Sequence, residues 1–204
     1  MFDCVIAAAG YSSRMGKWKL EMPWKDVPLV VHVMNNALSA GCRVIAAGGY
    51  NFKNLNKIIT DYFFLNSDKR LPEHKIIIAF AEDWECGMGG SVRSVISLTE
   101  TNWIFVTPAD MPLIKKEDYE KLQSIYRSGR YSGAHALRPV WKGKPGHPVL
   151  MGPEVIKGIL NNPPGIPLRK ILKNYRTTGI DWDHGGVVFD IDTPEKYRDL
   201  IASD

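Results

Sequence analysis

The sequence predicts an α/β protein with a mostly parallel central sheet and helices on both faces. Three observations carry this. Through residue 127, short apolar runs alternate with segments whose apolar residues recur at helical spacing. Loops rich in Gly or Pro follow three of the runs, at Gly10, Gly87–Ser91 and Pro108–Pro112. The composition is that of an ordinary globular chain, with 204 residues, 45% apolar and 24% charged. That length suits a single domain.

The elements follow in order. Phe2–Ala8 is short, apolar and bounded by Gly10, which reads as a buried strand. A polar loop then runs to about Pro28. Val30, Val33, Met34, Ala37 and Leu38 lie on one face of a helix that Gly41 closes as its C-terminal cap. Arg43–Ala47 is a second strand, and Leu55, Ile58, Ile59, Tyr62 and Phe63 repeat the helical spacing. Lys75–Ala81 is a third strand, Ser91–Leu98 a helix, Trp103–Thr107 a fourth strand and Lys116–Tyr126 a further helix. Beyond Ser128 the pattern is less regular. Ser132–Arg138 and His147–Met151 read as strands, Lys142–Gly146 as a turn-rich loop, and Glu154–Leu160 and Leu168–Asn174 as short helices. Gly185–Asp190 is expected to be the last strand, and Pro194–Ala202 a terminal helix with its proline near the start. Residues 128–204 are expected to complete the sheet and add a second ligand-side lobe within the same single domain.

Several classes are excluded. No apolar run approaches the roughly 20 residues that span a bilayer. The first apolar run begins almost at Met1, lacks a basic leader and enters Gly10 directly, so no signal peptide is expected and the cytoplasm is the expected location. The three cysteines, Cys4, Cys42 and Cys86, show neither disulfide nor zinc spacing. Cys4 reads as a core residue. A net charge of +4 spread along the chain lacks the dense basic stripe of a nucleic-acid binder. It suits a phosphorylated small molecule.

In a parallel sheet, ligands bind at the carboxyl ends of the strands. Gly10, Gly87–Ser91 and Asp110 all follow predicted strands, so their loops converge on one crevice. The first loop, Gly10-Tyr11-Ser12-Ser13-Arg14-Met15-Gly16-Lys17-Trp18-Lys19, combines glycines that permit close backbone approach with the cations Arg14, Lys17 and Lys19. It is not a P-loop: five residues separate Gly10 from Gly16, and Trp18 stands where a Mg²⁺-binding hydroxyl is needed. The dinucleotide G-x-G-x-x-G and the hydrolase G-x-S-x-G are also absent from this loop.

Ala8-Ala9-Gly10-Tyr11-Ser12-Ser13-Arg14-Met15-Gly16 followed by Lys19-Leu20 resembles the opening of the MobA-like nucleotidyltransferases, and most of all their molybdenum cofactor cytidylyltransferase branch. The resemblance continues at Gly87-Met88-Gly89-Gly90-Ser91-Val92, Pro108-Ala109-Asp110-Met111-Pro112, Gly146-His147-Pro148-Val149 and Asp190-Ile191-Asp192-Thr193-Pro194-Glu195. It implies a three-layer α/β/α, Rossmann-like nucleotidyltransferase fold, with residues 1–127 holding the nucleotide and 128–204 facing the acceptor. It also implies transfer of a nucleotidyl group from a nucleoside triphosphate to a phosphorylated acceptor, with Mg²⁺ and release of pyrophosphate.

Such chemistry needs positioning and charge neutralisation rather than a side-chain nucleophile. Arg14 and Lys19 would hold the triphosphate and, with Asp110, form the catalytic set. Ala7, Ala8, Ala9, Gly10, Gly16, Gly89 and Ser91 would line the nucleotide site; a helix N-cap is the other reading of Ser91. Asp110, Asp192 and Asp190 are the metal candidates, because Mg²⁺ takes a few carboxylates plus phosphate and water oxygens. Helix capping is the structural reading of Asp192. His147 and Arg169 are the acceptor candidates, each with a purely structural alternative. Trp18, Trp24 and Trp84 flank the loops, where stacking on a pterin competes with ordinary packing.

In the family it resembles, Ala-Ala-Gly, here Ala8–Gly10, goes with cytidine and Ala-Gly-Gly with guanosine, so the resemblance implies CTP rather than GTP; one methyl group beside the base can exclude a larger purine. Two segments depart from the pattern. Ala79-Phe80-Ala81-Glu82 lacks the amide residue common there, and Pro163-Pro164-Gly165-Ile166-Pro167-Leu168-Arg169 keeps only the arginine of Gly-Asp-x-Gly-Ala-Arg. Molybdopterin is the favoured acceptor and a molybdoenzyme a candidate partner. The rival readings are a GTP-dependent or sugar-phosphate nucleotidyltransferase, and a non-catalytic nucleotide-binding accessory protein for molybdoenzyme assembly.

Overall fold

The structure, a computed structural model, describes residues 1–65 and 75–202. Its strands are β1 (Phe2–Ala8), β2 (Pro23–Trp24), β3 (Val27–Pro28), β4 (Cys42–Gly48), β5 (Ile76–Phe80), β6 (Ile104–Pro108), β7 (Ala136–Trp141), β8 (Lys144–Pro145), β9 (Val149–Met151) and β10 (Thr177–Asp181). The central sheet runs β10-β7-β9-β6-β1-β4-β5, with β8 paired to β7; β2 and β3 form a separate small hairpin. β1 pairs in parallel with β4 and β6, β4 with β5, and β7 with β10. Within the main run only β9 is reversed, antiparallel to both β6 and β7.

The helices are α1 (Leu29–Ser39), α2 (Phe52–Thr60), α3 (Met88–Val95), α4 (Lys116–Arg127), α5 (Pro153–Asn161), α6 (Leu168–Leu172) and α7 (Pro194–Ala202). Side chains of a strand alternate between faces, so β1 feeds two cores. Cys4, Ile6 and Ala8 pack with Val33 and Met34 of α1, Leu55 of α2 and Tyr119 of α4. Val5 packs with Val92 of α3, Ile159 of α5 and Ile171 of α6. These are the three expected layers. A third cluster joins Met15, Met22 and Leu29 to Ile191 and Leu200, which clamps the first loop against the C-terminal segment. Among the described residues no helix is long and apolar enough to cross a membrane.

The second half corrects the sequence reading. Gly185–Asp190 is not a strand, because Gly185–Val188 is a 3₁₀ turn. The strand that completes the sheet is β10, whose Thr-Thr-Gly-Ile-Asp carries no apolar signal because it is an edge strand exposed along much of its length. The strand expected over Ser132–Arg138 begins at Ala136 and runs on to Trp141, after turns closed by Ser132 N–H to Gly129 O and Ala134 N–H to Tyr131 O. Lys142 and Gly143, with φ of 48° and 75°, form the two-residue turn of the β7–β8 hairpin. α3 starts at Met88 rather than Ser91.

At the opposite end of the sheet from the loops, Asp3 and Arg43 form a buried ion pair of 2.6 Å, 1% and 5% exposed. Asp3 also accepts from the backbone N–H groups of Glu100 and Thr101. Burial opposes its ionised form, but Arg43 and these N–H donors outweigh burial and hold its carboxyl below the usual range.

Candidate active site

A cavity of about 220 Å³ opens at the carboxyl ends of β1 and β6. Ala7, Ala9 and Gly10 form one wall; Trp84, Gly87, Met88 and Ser91 form another; Lys19, Leu20, Pro108 and Asp110 close it. Strand alternation turns the methyls of Ala7 and Ala9 to this side and that of Ala8 into the opposite core. Gly49 makes the Trp84 wall possible: a Cβ there would lie 2.6 Å from Trp84 Cγ and 2.8 Å from Ala9 Cβ. The first turn of α3, free of acidic residues, borders the cavity and offers it a positive helix end. Ser91 Oγ donates to Gly87 O at 3.2 Å, so its remaining capacity is to accept.

Five of the charged groups expected here, Arg14, Lys19, Asp110, Asp190 and Asp192, are paired. Lys19 Nζ donates to Asp110 Oδ2. Arg14, with a side chain 70% exposed, donates to Asp192 Oδ2 at 2.7 Å. Lys196 Nζ reaches Asp190 Oδ1 at 2.5 Å and Asp192 Oδ1 at 2.8 Å. Lys196 foremost, then Arg14 and Lys19, hold the Asp192 carboxyl below its ordinary range against partial burial. Ile191 N–H donates to Asp110 O at 2.8 Å, which ties the two acidic segments together.

A second cavity of about 390 Å³ shares Pro108 and Asp110 with the first. Its other walls are Met111, Lys144–His147, Val187, Val188 and Asp190. His147 Nδ1 lies 3.3 Å from Val106 O. A carbonyl only accepts, so Nδ1 carries the proton and Nε2 keeps a lone pair. Burial pushes the His147 ring down to about 4, aided by the charge of Arg138 and opposed by the Val106 bond and by Asp190. The imidazole is neutral at pH 7. Arg138 Nη2 donates to Gly146 O at 3.2 Å, while its Nε is buried without a hydrogen bond.

Comparison with known proteins decides the family. Residues 4–178 match the MobA-like NTP transferase domain. The chain belongs to that family. It is 28% identical over 195 residues to the molybdenum cofactor cytidylyltransferase of Escherichia coli K12, covering 96% of this chain and 93% of that one. It shares the fold of Mycobacterium tuberculosis Rv0371c solved as a manganese complex, with a TM-score of 0.74, 17% identity and coverage of 100% and 99%. It likewise shares the fold of the molybdopterin-guanine dinucleotide biosynthesis protein A of Archaeoglobus fulgidus, with a TM-score of 0.72, 15% identity and coverage of 99% and 98%. The chain is thus a nucleotidyltransferase, and the α/β/α class expected from sequence is the one observed.

Within this MobA-like frame, Ala7, Ala9, Gly10, Lys19, Ser91 and Asp110 meet at the first cavity, and His147 and Asp190 at the second. Arg14 and Asp192 line neither, but join the site through their own ion pair and through Lys196. Gly16 and Lys17 border a separate hollow on the outer side of the loop, with Tyr11 and Tyr50. Gly89 serves packing: a Cβ there would lie 2.7 Å from Ile166 O. Ser91 lies inside α3 and Gly87 is the cap, so the N-cap reading of Ser91 falls. Arg169 is exposed and lines neither cavity. Trp18 is buried in the core, Trp24 packs at a tilt against His32, and only Trp84 of the three lines the first cavity. Cys86 is exposed and borders neither cavity. Sequence reasoning missed Lys196 and Arg138. Lys196 had a readable signal, four residues after Asp192 at a helix start; Arg138 had none.

Proposed function

We propose that this nucleotidyltransferase moves a cytidylyl group from CTP to molybdopterin, with Mg²⁺, in the cytoplasm. The observation that carries the reading is Asp110, which stands in the wall common to two cavities and is paired with Lys19. We assign the first cavity to the base and sugar of the nucleoside triphosphate and the second to the phosphorylated acceptor, so the reacting groups would meet at Asp110. CTP is supported by the Ala9 methyl in the cavity wall, where a glycine would leave more room for a purine, and by the name of the Escherichia coli relative. That name also supports molybdopterin.

The donor set fits a hard divalent cation. Among the described residues no three His, Cys, Asp or Glu side chains are grouped closely enough to hold a metal by themselves. Mg²⁺ does not need such a cage, since one or two carboxylates plus substrate phosphates suffice. Asp192 Oδ1 is shielded from solvent and already faces Lys196 Nζ at 2.8 Å, so Oδ2, held by the exposed Arg14, is the oxygen a metal would take. Asp110 and Asp192 would hold the ion, and Mg²⁺ when bound would supply charge neutralisation on the phosphates.

The chain's own residues do the rest. Lys19 and Arg14 leave their carboxylates to contact the triphosphate, Arg with a planar fork and Lys as a point charge. An acceptor phosphate oxygen forms the new bond to the α-phosphorus, and the bond from that phosphorus to pyrophosphate breaks. Lys19 and Arg14 then carry the charge of the departing pyrophosphate. Neutral His147 presents Nε2 as an acceptor, so it would read an N–H or O–H donor of the acceptor molecule rather than its phosphate.

The test is pyrophosphate release from purified protein with Mg²⁺ and each of the four nucleoside triphosphates, with and without molybdopterin, and with sugar phosphates as alternative acceptors. Release that requires both CTP and molybdopterin is expected. Binding without release under every condition would instead mark a non-catalytic accessory protein.

A further inference from the structure

Asp190 and Asp192 precede α7, and Lys196 lies in its first turn. The single ammonium of Lys196 bridges the two carboxylates, 2.5 Å from Asp190 Oδ1 and 2.8 Å from Asp192 Oδ1. Arg14 holds the remaining Asp192 oxygen. Two carboxylate oxygens that converge on one point also suit a divalent cation, which binds oxygens at about 2.0–2.1 Å if Mg²⁺. Here a covalently tethered cation already stands at that point. It is fixed at the base by α7, and Ile191 N–H anchors the acidic segment to Asp110 O.

We propose that Lys196 is a positioning residue that occupies the space between Asp190 and Asp192 as a built-in monovalent cation. It withholds Asp190 from metal, orients Asp192, and so limits the site to one divalent ion shared by Asp110, Asp192 and the triphosphate. The inference rests on the metal-dependent reading above and adds to it the number of ions and the residue that sets it. Three carboxylates near two cavities would otherwise offer room for a second ion. With Lys196 in place, Asp190 is left to shape the acceptor-side cavity, whose wall it forms.

The probe is Mn²⁺, counted by the paramagnetic resonance signal of the free ion, first on nucleotide-free protein and then with saturating CTP. Wild type with CTP is expected to hold one protein-bound Mn²⁺ beyond what CTP alone binds. Lys196→Met should hold two, and without nucleotide should bind Mn²⁺ at least about tenfold more tightly than wild type. Lys196→Arg keeps a cation and should keep one ion. The double variant Lys196→Met with Asp190→Asn should return to one, which a general loosening of α7 would not produce. Lys196→Gln repeats the test with a polar side chain should Met disturb folding. Unchanged ion number and affinity in both Lys196→Met and Lys196→Gln overturns the proposal, as does a gain that survives the Asp190→Asn change. If wild type with CTP holds no Mn²⁺ beyond CTP itself, the metal-dependent reading fails and this inference with it.

Discussion

Replacing Lys19 by Met should move two quantities in opposite directions, tightening metal binding while slowing turnover. Lys19 Nζ donates to Asp110 Oδ2, and the two side chains are 14% and 19% exposed. Met keeps the length and the apolar stem and deletes only the ammonium. On the substrate side, a charge-assisted hydrogen bond to the triphosphate is lost, worth about 1.5–3 kcal/mol. At about 1.36 kcal/mol per decade that lowers kcat/KM roughly 10- to 150-fold. On the metal side, Asp110 loses the cation a divalent ion must displace. Paired charges near a surface attract by about 4 kcal/mol at 4 Å before screening and solvation. If about 1–2 kcal/mol of this passes to the ion, Mn²⁺ binds the nucleotide-free protein about 5- to 30-fold more tightly. Pyrophosphate release with Mg·CTP and an Mn²⁺ titration on the same preparation read the two effects. Simple misfolding would weaken both. Turnover within twofold of wild type, or weaker Mn²⁺ binding in a variant that melts normally, would refute the reasoning.

Further outcomes follow from other parts of the structure. Arg14→Ala should raise the KM for CTP about 5- to 20-fold through the lost phosphate contact, with almost no change in Tm because its ion pair is exposed; an unchanged KM removes the phosphate role. Asp3→Asn should cost about 3–5 kcal/mol, as expected when one partner of a buried pair is removed, without altering the KM for CTP. Asp3 is held below its ordinary value in the fold, so its contribution is complete above the unfolded value of 3.8 and is lost as pH falls through the lowered folded value. Melting from pH 7 to pH 2 should therefore show a flatter acid limb in the variant. His147 has the same sign in a higher window: the unfolded ring takes up a proton below its ordinary value of 6.5 while the folded ring stays neutral to about 4, so stability falls as pH drops through that window. His147→Asn should lose this slope in urea melts at pH 7, 6, 5 and 4.

Much of the first half was legible because buried parallel strands are continuous apolar runs and their helices carry one apolar stripe. β1, β4 and β6 and the faces of α1 and α4 are of this kind. The second half was harder for a physical reason. β10 needs apolar residues on little of its length, and Gly185–Phe189 uses Val187 to line a cavity and fill a core rather than to pair in a ladder. The ligand loops were legible as glycine, cation and carboxylate patterns. Their partnerships were not, since Arg14 and Asp192 lie 178 residues apart and meet only because Met15, Ile191 and Leu200 pack together. Gly89 shows the converse limit: a glycine in a ligand-loop motif is required by the Ile166 carbonyl.

The pairing of cations with carboxylates has a consequence for the order of binding. Each group expected to hold phosphate, Lys19 and Arg14, neutralises a group expected to hold metal, Asp110 and Asp192. Metal alone must displace a cation that then has no anion, and a triphosphate alone must strip cations from carboxylates that then repel it. Arriving together, metal and triphosphate satisfy all four groups at once. The two ligands should therefore be positively coupled, by about 1–3 kcal/mol if the coupling is of ordinary size, or roughly 5- to 150-fold in affinity. Linkage makes the coupling reciprocal, so CTP affinity measured by calorimetry with and without Mn²⁺ reports it directly. In the Lys19→Met and Arg14→Ala double variant the exchange has no cations left to release, and the Mn²⁺ dependence of CTP binding should shrink to that of direct metal–phosphate contact. A Mn²⁺ dependence as large as that of wild type would mean the ion pairs do not gate the site, whatever their proximity.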